Sequence, residues 1–290
     1  MQGANKMLTP NDWKDYSLLD AGGGEKLEMW GDVKVIRPDP QAIWPRITPD
    51  VWKNPHMHYH RNKSGGGNWE ILRETPNSWD ISYGDLRFNI RPTGFKHMGL
   101  FPEQAVNWSW MINKIKNAGR PIKILNLFAY TGGATVACLS AGASVVHIDA
   151  AKGMNAWAKD NIILSGLKDS PHRIMADDVL KFVQRENRRQ NRYHGIIMDP
   201  PVFGRGPKGE LWKLEDRLYE LVTATASILE EDPLFMLINA YTAGLSPAVY
   251  GNILENVMKK HPGKTSFGEV GLCAHNKILL PCGMYARWEI

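Results

Sequence analysis

The stretch Ile122–Asp149 constrains the fold more than any other part of this sequence. It opens with a short apolar run, Ile122–Phe128, which has the right length for one buried strand. The pair Gly132-Gly133 follows directly and permits a sharp backbone turn. Ala134–Ala141 is typical of a helix, and a second apolar run closes the stretch at an acid. Strand, glycine turn, helix, strand and acid together predict the first half of a nucleotide-binding βαβ unit.

This pattern leaves open which ligand, if any, the turn holds. The dinucleotide fingerprint has three glycines spaced G-x-G-x-x-G, whereas this turn has an adjacent pair and no third. A pyrophosphate is therefore disfavoured, and an adenosyl ligand that carries a sulfonium and an amino acid fits better. Asp149 stands at the strand end, where a carboxylate can bind ribose hydroxyls. The alternative is a tight strand-to-helix turn without a ligand, and the position of Asp149 favours binding.

Composition and charge limit the class of protein. The chain has 290 residues, enough for one large domain or two smaller ones. Its net charge is +5 and its isoelectric point is about 9.0, which favours a polyanionic partner without requiring one. The three cysteines, Cys138, Cys273 and Cys282, lack metal-binding spacing. They argue against a disulfide framework and suit a reducing compartment.

Nothing in the sequence indicates insertion into a membrane or export. No apolar run approaches the length of a membrane span. The N-terminus lacks a basic segment followed by an apolar one. We therefore expect a cytoplasmic protein with no membrane partner. The sequence does not distinguish a monomer from a homodimer.

Residues 1–95 differ from the rest in composition and in strand-like pattern, and they are expected to form a small, β-rich α+β domain. Six of the eleven tryptophans fall here, and short strand-like runs alternate with turn-rich pieces. The predicted strands are Tyr16–Asp20, Val33–Arg37, Trp69–Arg73 and Leu86–Ile90.

Three histidines alternate in this part, His56, His58 and His60, so that a strand would place them on one face. Three interpretations are open: a metal site, contact with nucleic acid by the mixed aromatic and basic patch, and an ordinary polar strand face. Structural metal sites usually have four ligands, and the neighbouring sequence offers neither a carboxylate nor a cysteine. We therefore favour the polar face and predict no metal site.

Residues 96–290 alternate helix-like and strand-like segments. A helix that starts at Pro102 precedes the first strand. After Asp149 we predict, in order, helix Ala151–Ser165, strand His172–Ala176, helix Val179–Gln190, strand Gly195–Met198, helix Leu211–Glu231, strand Leu234–Asn239, a helix that starts at Pro247 and ends at Lys260, and strands Phe267–Cys273 and Met284–Glu289. This order predicts an α/β fold with a mostly parallel sheet covered by helices on both faces. The last two strands have no helix between them, so one is expected to be antiparallel.

The segment Asp199-Pro200-Pro201-Val202-Phe203 is the most specific in the chain. It follows a predicted strand, at an edge where open α/β sheets bind ligands. Consecutive prolines fix φ and remove two N–H groups, which leaves rigid carbonyls as acceptors for the amine of a base. Phe203 could stack on a planar base, and the loop 204–209 could close over a substrate. The alternatives are a stiff turn with an exposed aromatic and an ordinary loop, and we favour the site.

Together these motifs resemble class I S-adenosylmethionine-dependent methyltransferases. The likeness rests on Phe128-Ala129-Tyr130-Thr131-Gly132-Gly133, on Asp149 and Asp178, and on the Asp-Pro-Pro-Val-Phe segment. Gly99-Leu100-Phe101-Pro102-Glu103-Gln104 and Lys159-Asp160-Asn161 are similar to further motifs of the group that modifies bacterial large-subunit ribosomal RNA. The resemblance covers residues 15–290. The chain is expected to lack the leading RNA-binding domain that many of those relatives carry.

The resemblance implies a Rossmann-like methyltransferase sheet in residues 96–290 behind the small N-terminal domain. It also implies S-adenosyl-L-methionine as cofactor and RNA, ribosomal RNA above all, as partner. The implied catalytic residues are Asp199, Pro200, Pro201 and Phe203. The implied cofactor-binding residues are Phe101, Gln104, Phe128, Tyr130, Thr131, Gly132, Gly133, Asp149, Asn161, Asp178 and Asp199. Among these, Asp149 is assigned to the ribose hydroxyls, Asp178 to the adenine amine and Asp199 to the surroundings of the transferred methyl group.

Cysteine positions bear on the atom that is methylated. Methylation of cytosine at carbon 5 needs a thiolate that attacks the ring. Related cytosine enzymes place that cysteine after the strand that follows the Asp-Pro-Pro segment, where this chain reads Ile-Asn-Ala-Tyr-Thr over residues 238–242. We therefore predict a nitrogen acceptor, such as a ring or amine position of guanine or adenine.

Two other functions compete with this hypothesis. One is a nicotinamide-dependent oxidoreductase, which the missing third glycine and the Asp-Pro-Pro segment disfavour. The other is a cofactor-binding protein that has lost catalysis. A basic cluster could either follow a phosphate backbone or complement a helix end, and both interpretations stay open. The cluster comprises Lys181, Arg185, Arg188, Arg189 and Arg192.

Overall fold

The computed structural model describes residues 7–62, 66–205, 211–241 and 244–290. The chain divides into two compact units. The first unit comprises residues 8–106 and 270–282, and the second comprises residue 7, residues 107–269 and residues 283–290. The division expected at residue 95 stays a prediction. Most of the loop 204–209 lies outside the described residues.

The first unit is built on a five-stranded sheet with a separate two-stranded hairpin. Its strands along residues 8–106 are β1 (Tyr16–Gly22), β2 (Glu25–Trp30), β3 (Val33–Pro38), β4 (Met57–Arg61), β5 (Gly67–Ile71), β6 (Trp79–Tyr83) and β7 (Leu86–Ile90). The sheet order is β1-β2-β3-β4-β5, and only β3 and β4 run parallel. The hairpin pairs β6 with β7.

The first unit is more purely β than the expected mixture. Of its described residues before Ile90, only Pro49–Trp52 form a helix, of the 3-10 type. The four predicted strands are present, with the third shifted to Gly67–Ile71. β2, β4 and β6 are not among the four predicted strands. In β2 the reason is that Lys26 and Glu28, which a sequence pattern assigns to the surface, lie inside an ion-pair cluster.

That cluster centres on Glu28, which is fully buried. Arg37 Nε and Nη2 donate to the two carboxylate oxygens at 2.6 and 2.7 Å, and the Tyr16 hydroxyl donates to Oε1 at 2.8 Å. Burial alone would raise the pKa of the Glu28 carboxyl, but the charges of Arg37 and Lys26 and these hydrogen bonds outweigh it and lower the pKa to about 2. The carboxylate is therefore satisfied only as long as its cations stay in place.

From residue 105 to the C-terminus, helices and strands alternate. The elements are α1 (Ala105–Lys116), β8 (Lys123–Leu127), α2 (Gly133–Ser140), β9 (Ser144–Asp149), α3 (Lys152–Leu164), β10 (His172–Ala176), α4 (Val179–Arg188), β11 (Gly195–Met198), β12 (Phe203–Arg205), β13 (Leu211–Lys213), α5 (Leu214–Ala226), β14 (Phe235–Ala240), α6 (Pro247–Met258), β15 (Lys264–Cys273) and β16 (Leu279–Glu289).

Most of a seven-stranded sheet in the order β10-β9-β8-β11-β14-β16-β15 belongs to the second unit; residues 270–273 of β15 and 279–282 of β16 are assigned to the first. The five strands from β10 to β14 in that order run parallel, and β16 is antiparallel to β14. The expected α/β fold, with a mostly parallel sheet and an antiparallel strand near the C-terminus, is confirmed. Buried side chains such as Phe182, Leu221 and Tyr250 pack α4, α5 and α6 against the strands. Each such side chain contributes about 1.5–3 kcal/mol of hydrophobic stabilisation.

Three predicted segments differ from the structure. The helix expected over Leu211–Glu231 is shorter, because its first residues form β13 and pair with β12. The last strand, predicted to start at Met284, starts earlier, at Leu279. Pro102 begins a 3-10 turn, and the α-helix follows from Ala105. None of the described helices is both long and apolar enough to cross a membrane.

Replacing the buried carboxylate tests the ion-pair cluster. Glu28→Gln is expected to cost about 3–5 kcal/mol of unfolding free energy, because it leaves Arg37 buried without its counter-charge. The pKa of Glu28 in the folded protein is lowered to about 2. The stability that the Glu28 carboxylate contributes is therefore present in full above about pH 4.3, and it is lost as the pH falls towards about 2. Denaturant titrations at pH 7 and pH 3 would measure both effects.

Asp50→Asn is the matched control. It removes a carboxylate that lies 2.7 Å from Lys53, in a pair with 72% and 88% exposed side chains. Such surface pairs contribute little, so the stability should barely change. An equal loss in both variants would contradict the role assigned to the buried pair.

Candidate functional site

Three neighbouring strands bring predicted site residues to one edge of the sheet. β8 lies between β9 and β11, and its last residue pairs with Ile148 on one side and Met198 on the other. Phe128, Asp149 and Asp199, which come next on the three strands, therefore lie level at the carboxyl ends. The strand order reverses between β8 and β11. Open α/β sheets bind their ligands at such a switch point.

The loop from β8 to α2 has a left-handed backbone at three positions. Phe128 and Tyr130 have φ of 56° and 52°, and Gly132 has φ of 86°. A left-handed backbone costs a non-glycine residue about 1–2 kcal/mol, so the surrounding contacts must enforce it at the two aromatic residues. The Gly132 N–H donates to the carbonyl of Ala129 at 3.0 Å and closes the turn. The loop is thus held in one strained conformation at the switch point.

Packing explains why both glycines are needed. A Cβ on Gly132 would lie 3.0 Å from the Cβ of Ala158 in α3. A Cβ on Gly133 would lie 2.7 Å from Cζ2 of the Trp108 ring in α1. The glycine pair therefore lets α3 and α1 pack directly on the loop.

The Asp149 carboxylate binds two backbone segments at once. Its Oδ2 accepts the Tyr130 N–H at 2.9 Å, and its Oδ1 accepts the Ala151 N–H at 2.8 Å. Burial raises the pKa of this carboxyl, and the two hydrogen bonds oppose that rise. A carboxylate has about four acceptor positions, so two hydrogen bonds leave capacity for further donors. Asp149 can therefore order the loop and still accept a ligand's hydroxyl groups.

Asn161 supports the glycine loop from α3. Its side chain is buried, and its Nδ2 donates to the carbonyl of Thr131 at 2.8 Å. Thr131 is buried as well. Asn155, six residues earlier, donates to the Asp149 carbonyl at 3.0 Å. Both asparagines tie α3 to the backbone of the switch point, and a direct contact of Asn161 with a cofactor stays a prediction.

Asp178 follows β10, the strand beside β9, and caps α4. Its Oδ1 accepts the Lys181 N–H at 2.9 Å. The preceding Asp177 accepts the Asp178 N–H at 2.8 Å and forms an ion pair with Arg185. The cap accounts for an acid at this position by itself. The predicted contact of Asp178 with an adenine amine stays a prediction.

The Asp-Pro-Pro segment follows β11 and leaves the sheet at the same edge. The Asp199 N–H donates to the carbonyl of Leu127 at 3.4 Å. Pro200 is buried, whereas Pro201 is exposed and Phe203 has 58% of its surface exposed. The exposed ring agrees with the predicted platform for a planar group, a role that stays a prediction.

Trp212 is a residue of this edge that the sequence analysis did not identify. Its Nε1–H donates to the carbonyl of Pro201 at 2.6 Å, and its ring lies 5.5 Å from the Phe128 ring. One of the two proline carbonyls therefore has a partner within the protein. Trp212 lies on β13 opposite Gly204, and this hairpin pairing leaves no pattern in the local sequence.

Phe101 and Gln104 belong to the first unit. The Gln104 N–H donates to the Phe101 carbonyl at 3.0 Å, within the 3-10 turn that precedes α1. The Phe101 ring lies 5.4 Å from the ring of His97. Their expected contact with a cofactor stays a prediction.

Known proteins resemble this chain in sequence and in fold. Residues 53–235 match a family model described as S-adenosylmethionine-dependent methyltransferase. The chain is 34% identical over 183 residues to ribosomal RNA large subunit methyltransferase K/L of Shewanella baltica, an alignment that covers 59% of this chain and 25% of that protein. It is 28% identical over 225 residues to the protein of the same name from Chromohalobacter salexigens, covering 70% of this chain and 30% of that protein.

The chain thus spans less than a third of the length of these curated relatives. A solved structure matches over nearly its whole length. It is the S-adenosylmethionine-dependent methyltransferase from Agrobacterium tumefaciens, with a TM-score of 0.93 and 37% identity, covering 98% of this chain and 93% of that chain.

Substitution of a loop glycine tests the packing of the switch point. Gly132→Ala should destabilise the fold by more than Gly142→Ala. Both glycines are left-handed, with φ of 86° and 90°, so both variants incur about 1–2 kcal/mol of backbone strain. Only Gly132 also has α3 within contact distance, whereas a Cβ at Gly142 meets nothing within 4 Å. Chemical denaturation of the two variants would give the difference, and equal losses would contradict the packing argument.

Proposed function

The chain belongs to the S-adenosylmethionine-dependent methyltransferase family, and from that premise we propose that it methylates a base nitrogen in RNA, with ribosomal RNA as the first substrate to test. The observation that carries this proposal is the shared edge of β9, β8 and β11. It combines a glycine loop held in a left-handed conformation, a half-buried carboxylate at Asp149 and the segment that starts at Asp199.

The residues at this edge fit an adenosyl cofactor. Asp149 has acceptor capacity for a ribose hydroxyl pair beyond its two backbone bonds. The first N–H groups of a helix have no intrahelical partner, so the start of α2 at Gly133 suits the carboxylate of an amino acid. The adjacent glycine pair does not match the three-glycine pattern for a pyrophosphate. When bound, S-adenosylmethionine supplies a methyl group on a positively charged sulfur.

The protein's part in the reaction is placement of the acceptor. Methyl transfer needs the acceptor atom in line with the methyl group, and correct placement lowers the barrier substantially. Asp199 and the Pro200 carbonyl are proposed to accept hydrogen bonds from the base and so to orient it. Phe203 is proposed to stack on the base. Trp212 stiffens this segment, because it holds the carbonyl of Pro201.

RNA as the substrate is supported by the names of the relatives and by the basic composition. The two relatives are large-subunit ribosomal RNA methyltransferases by name. The net charge of +5 favours a polyanion. The basic cluster of α4 contributes less than its composition suggests, since Arg185 pairs with Asp177 and Arg189 lies 3.5 Å from Glu186.

A nitrogen acceptor is favoured over carbon 5 of cytosine by the state of two cysteines and by the residues at β14. Attack on carbon 5 requires a thiolate. Burial raises the pKa of the Cys138 thiol, and burial together with the charge of Glu103 raises that of Cys282. Residues 235–241, at and beyond β14, contain no cysteine. The three cysteines are free, which fits a reducing compartment, and we place the protein in the cytoplasm.

Calorimetry with the purified protein tests the cofactor site. S-adenosylmethionine is expected to bind, and Asp149→Asn should weaken its binding by about 10- to 100-fold, since a hydrogen bond to a charged group contributes about 1.5–3 kcal/mol. Asp160→Asn, which changes an exposed acid of α3, should leave the affinity unchanged. Preferred binding of NAD, or equal affinities in the wild type and in Asp149→Asn, would overturn the assignment.

Labelled methyl transfer tests the substrate. RNA from cells that lack the gene should incorporate methyl groups, and nucleoside mass analysis should find a base methylated on nitrogen. Phe203→Ala should lower kcat/KM about tenfold or more, since stacking on a base contributes about 1–3 kcal/mol. Tyr219→Ala, which removes a 54% exposed aromatic from α5, serves as the control.

The products separate the possible failures. If 5-methylcytosine is the product, the nitrogen assignment is wrong while the methyltransferase assignment stands. If the cofactor binds and no label enters RNA, DNA or protein, the proposed methyltransferase activity is ruled out.

A further inference from the structure

A polar face of β4 and β5 in the first unit carries groups that the proposed methyl transfer does not use. His58 and His60 alternate along β4 and therefore lie on one face of the sheet. Across the strand pair, His58 is opposite Glu70 and His60 is opposite Asn68. The sequence next to the histidines offers no carboxylate, whereas strand pairing brings one to them.

The side chains of His58, His60 and Glu70 are close enough to share one ion. One ligand atom from each can be chosen so that all three lie within 4.8 Å of one another. His60 Nε2 lies 2.7 Å from Glu70 Oε2, and the two imidazole centroids are 4.0 Å apart. Metal bonds of about 2.0–2.2 Å in a tetrahedral site hold neighbouring ligand atoms roughly 3.3 Å apart. The three side chains would therefore draw closer together when an ion binds. We propose that these three residues bind one divalent transition-metal ion of the zinc type.

A second layer of contacts orients His58. Glu25 Oε1 lies 2.6 Å from Nε2 of His58, and Glu25 Oε2 accepts from Arg46 Nη2 at 2.6 Å. The Arg46 guanidinium lies 3.9 Å from the centroid of the Trp52 ring. A metal-bound histidine usually gives its other N–H to a carboxylate, which fixes the ring and its tautomer. Glu25 thus engages Nε2 of His58 and leaves Nδ1 for the ion.

The donor set indicates the class of metal. Two imidazoles and one carboxylate suit zinc and its neighbours in the transition series, whereas magnesium and calcium prefer oxygen ligands alone. Three protein ligands leave a fourth position for water or an added ligand, as in catalytic zinc sites. The side chains of His60 and Glu70 are 46% and 51% exposed, so an ion can reach them from solvent.

His56 is not part of this site. It precedes β4, and its Nδ1 accepts the backbone N–H of Lys34 at 2.9 Å. The proposed site therefore uses two of the three alternating histidines and takes its carboxylate from the neighbouring strand.

Metal titration of the full chain, without a histidine tag and with a reducing agent present, tests the proposal directly. We expect one Co²⁺ ion per chain with visible d–d absorption, and Zn²⁺ should displace it. His60→Gln and Glu70→Gln should each weaken Zn²⁺ binding tenfold or more in competition with a chromophoric chelator. Glu25→Gln should weaken it by about tenfold through the orientation of His58.

His275→Gln is the matched control, because it removes an exposed imidazole from the same unit and should leave the affinity unchanged. Thermal unfolding of the metal-free variants confirms that each is folded. The proposal is overturned if no saturable binding occurs, or if His60→Gln and Glu70→Gln bind as tightly as the wild type. Because the readout is metal binding itself, either result is independent of methyl transfer.

Discussion

One carboxylate determines the arrangement of the candidate site. Asp149 ends β9, and its two oxygens accept backbone N–H groups from the loop after β8 and from the start of α3. These bonds fix two separate strand-to-helix connections relative to each other. The left-handed residues Phe128 and Tyr130 persist because such contacts over-determine the loop. Burial raises the pKa of this carboxyl, so keeping it ionised costs folding free energy, a cost typical of groups retained for a ligand.

The same edge connects the two halves of the proposed reaction. Phe128 leaves β8 beside the loop assigned to the cofactor, and Pro201 belongs to the segment assigned to the acceptor. Trp212 touches both, through its ring on one side and its indole N–H on the other. Trp212 therefore joins the two segments, in addition to the hydrogen bond that the Asp199 N–H donates to the Leu127 carbonyl.

The sequence is sufficient for elements whose signals are local. His172–Ala176 and Gly195–Met198 lie where predicted, because buried parallel strands are short apolar runs bounded by turns. The sequence is not sufficient where pairing between distant strands determines the structure. Glu28 makes β2 resemble a surface segment, because its partner Arg37 lies on another strand. Trp212 was predicted near the start of a helix, because the pairing of β12 with β13 cannot be inferred from the local sequence. The carboxylates beside the alternating histidines were missed for the same reason, since strand pairing places Glu70 there. In the candidate site, the sequence supplied the glycine pair and the acids but not the contacts that hold them.

Packing against helix α3 fixes the conformation of the glycine loop. Ala158 fills the space that a larger residue at position 132 would need, and Asn161 fixes the orientation of the Thr131 peptide. If residues 128–133 alone were transferred to another sheet, the loop would lose its contacts with α3 and could adopt other conformations. A change of residues at the loop therefore has to be matched by a change at the facing side of α3.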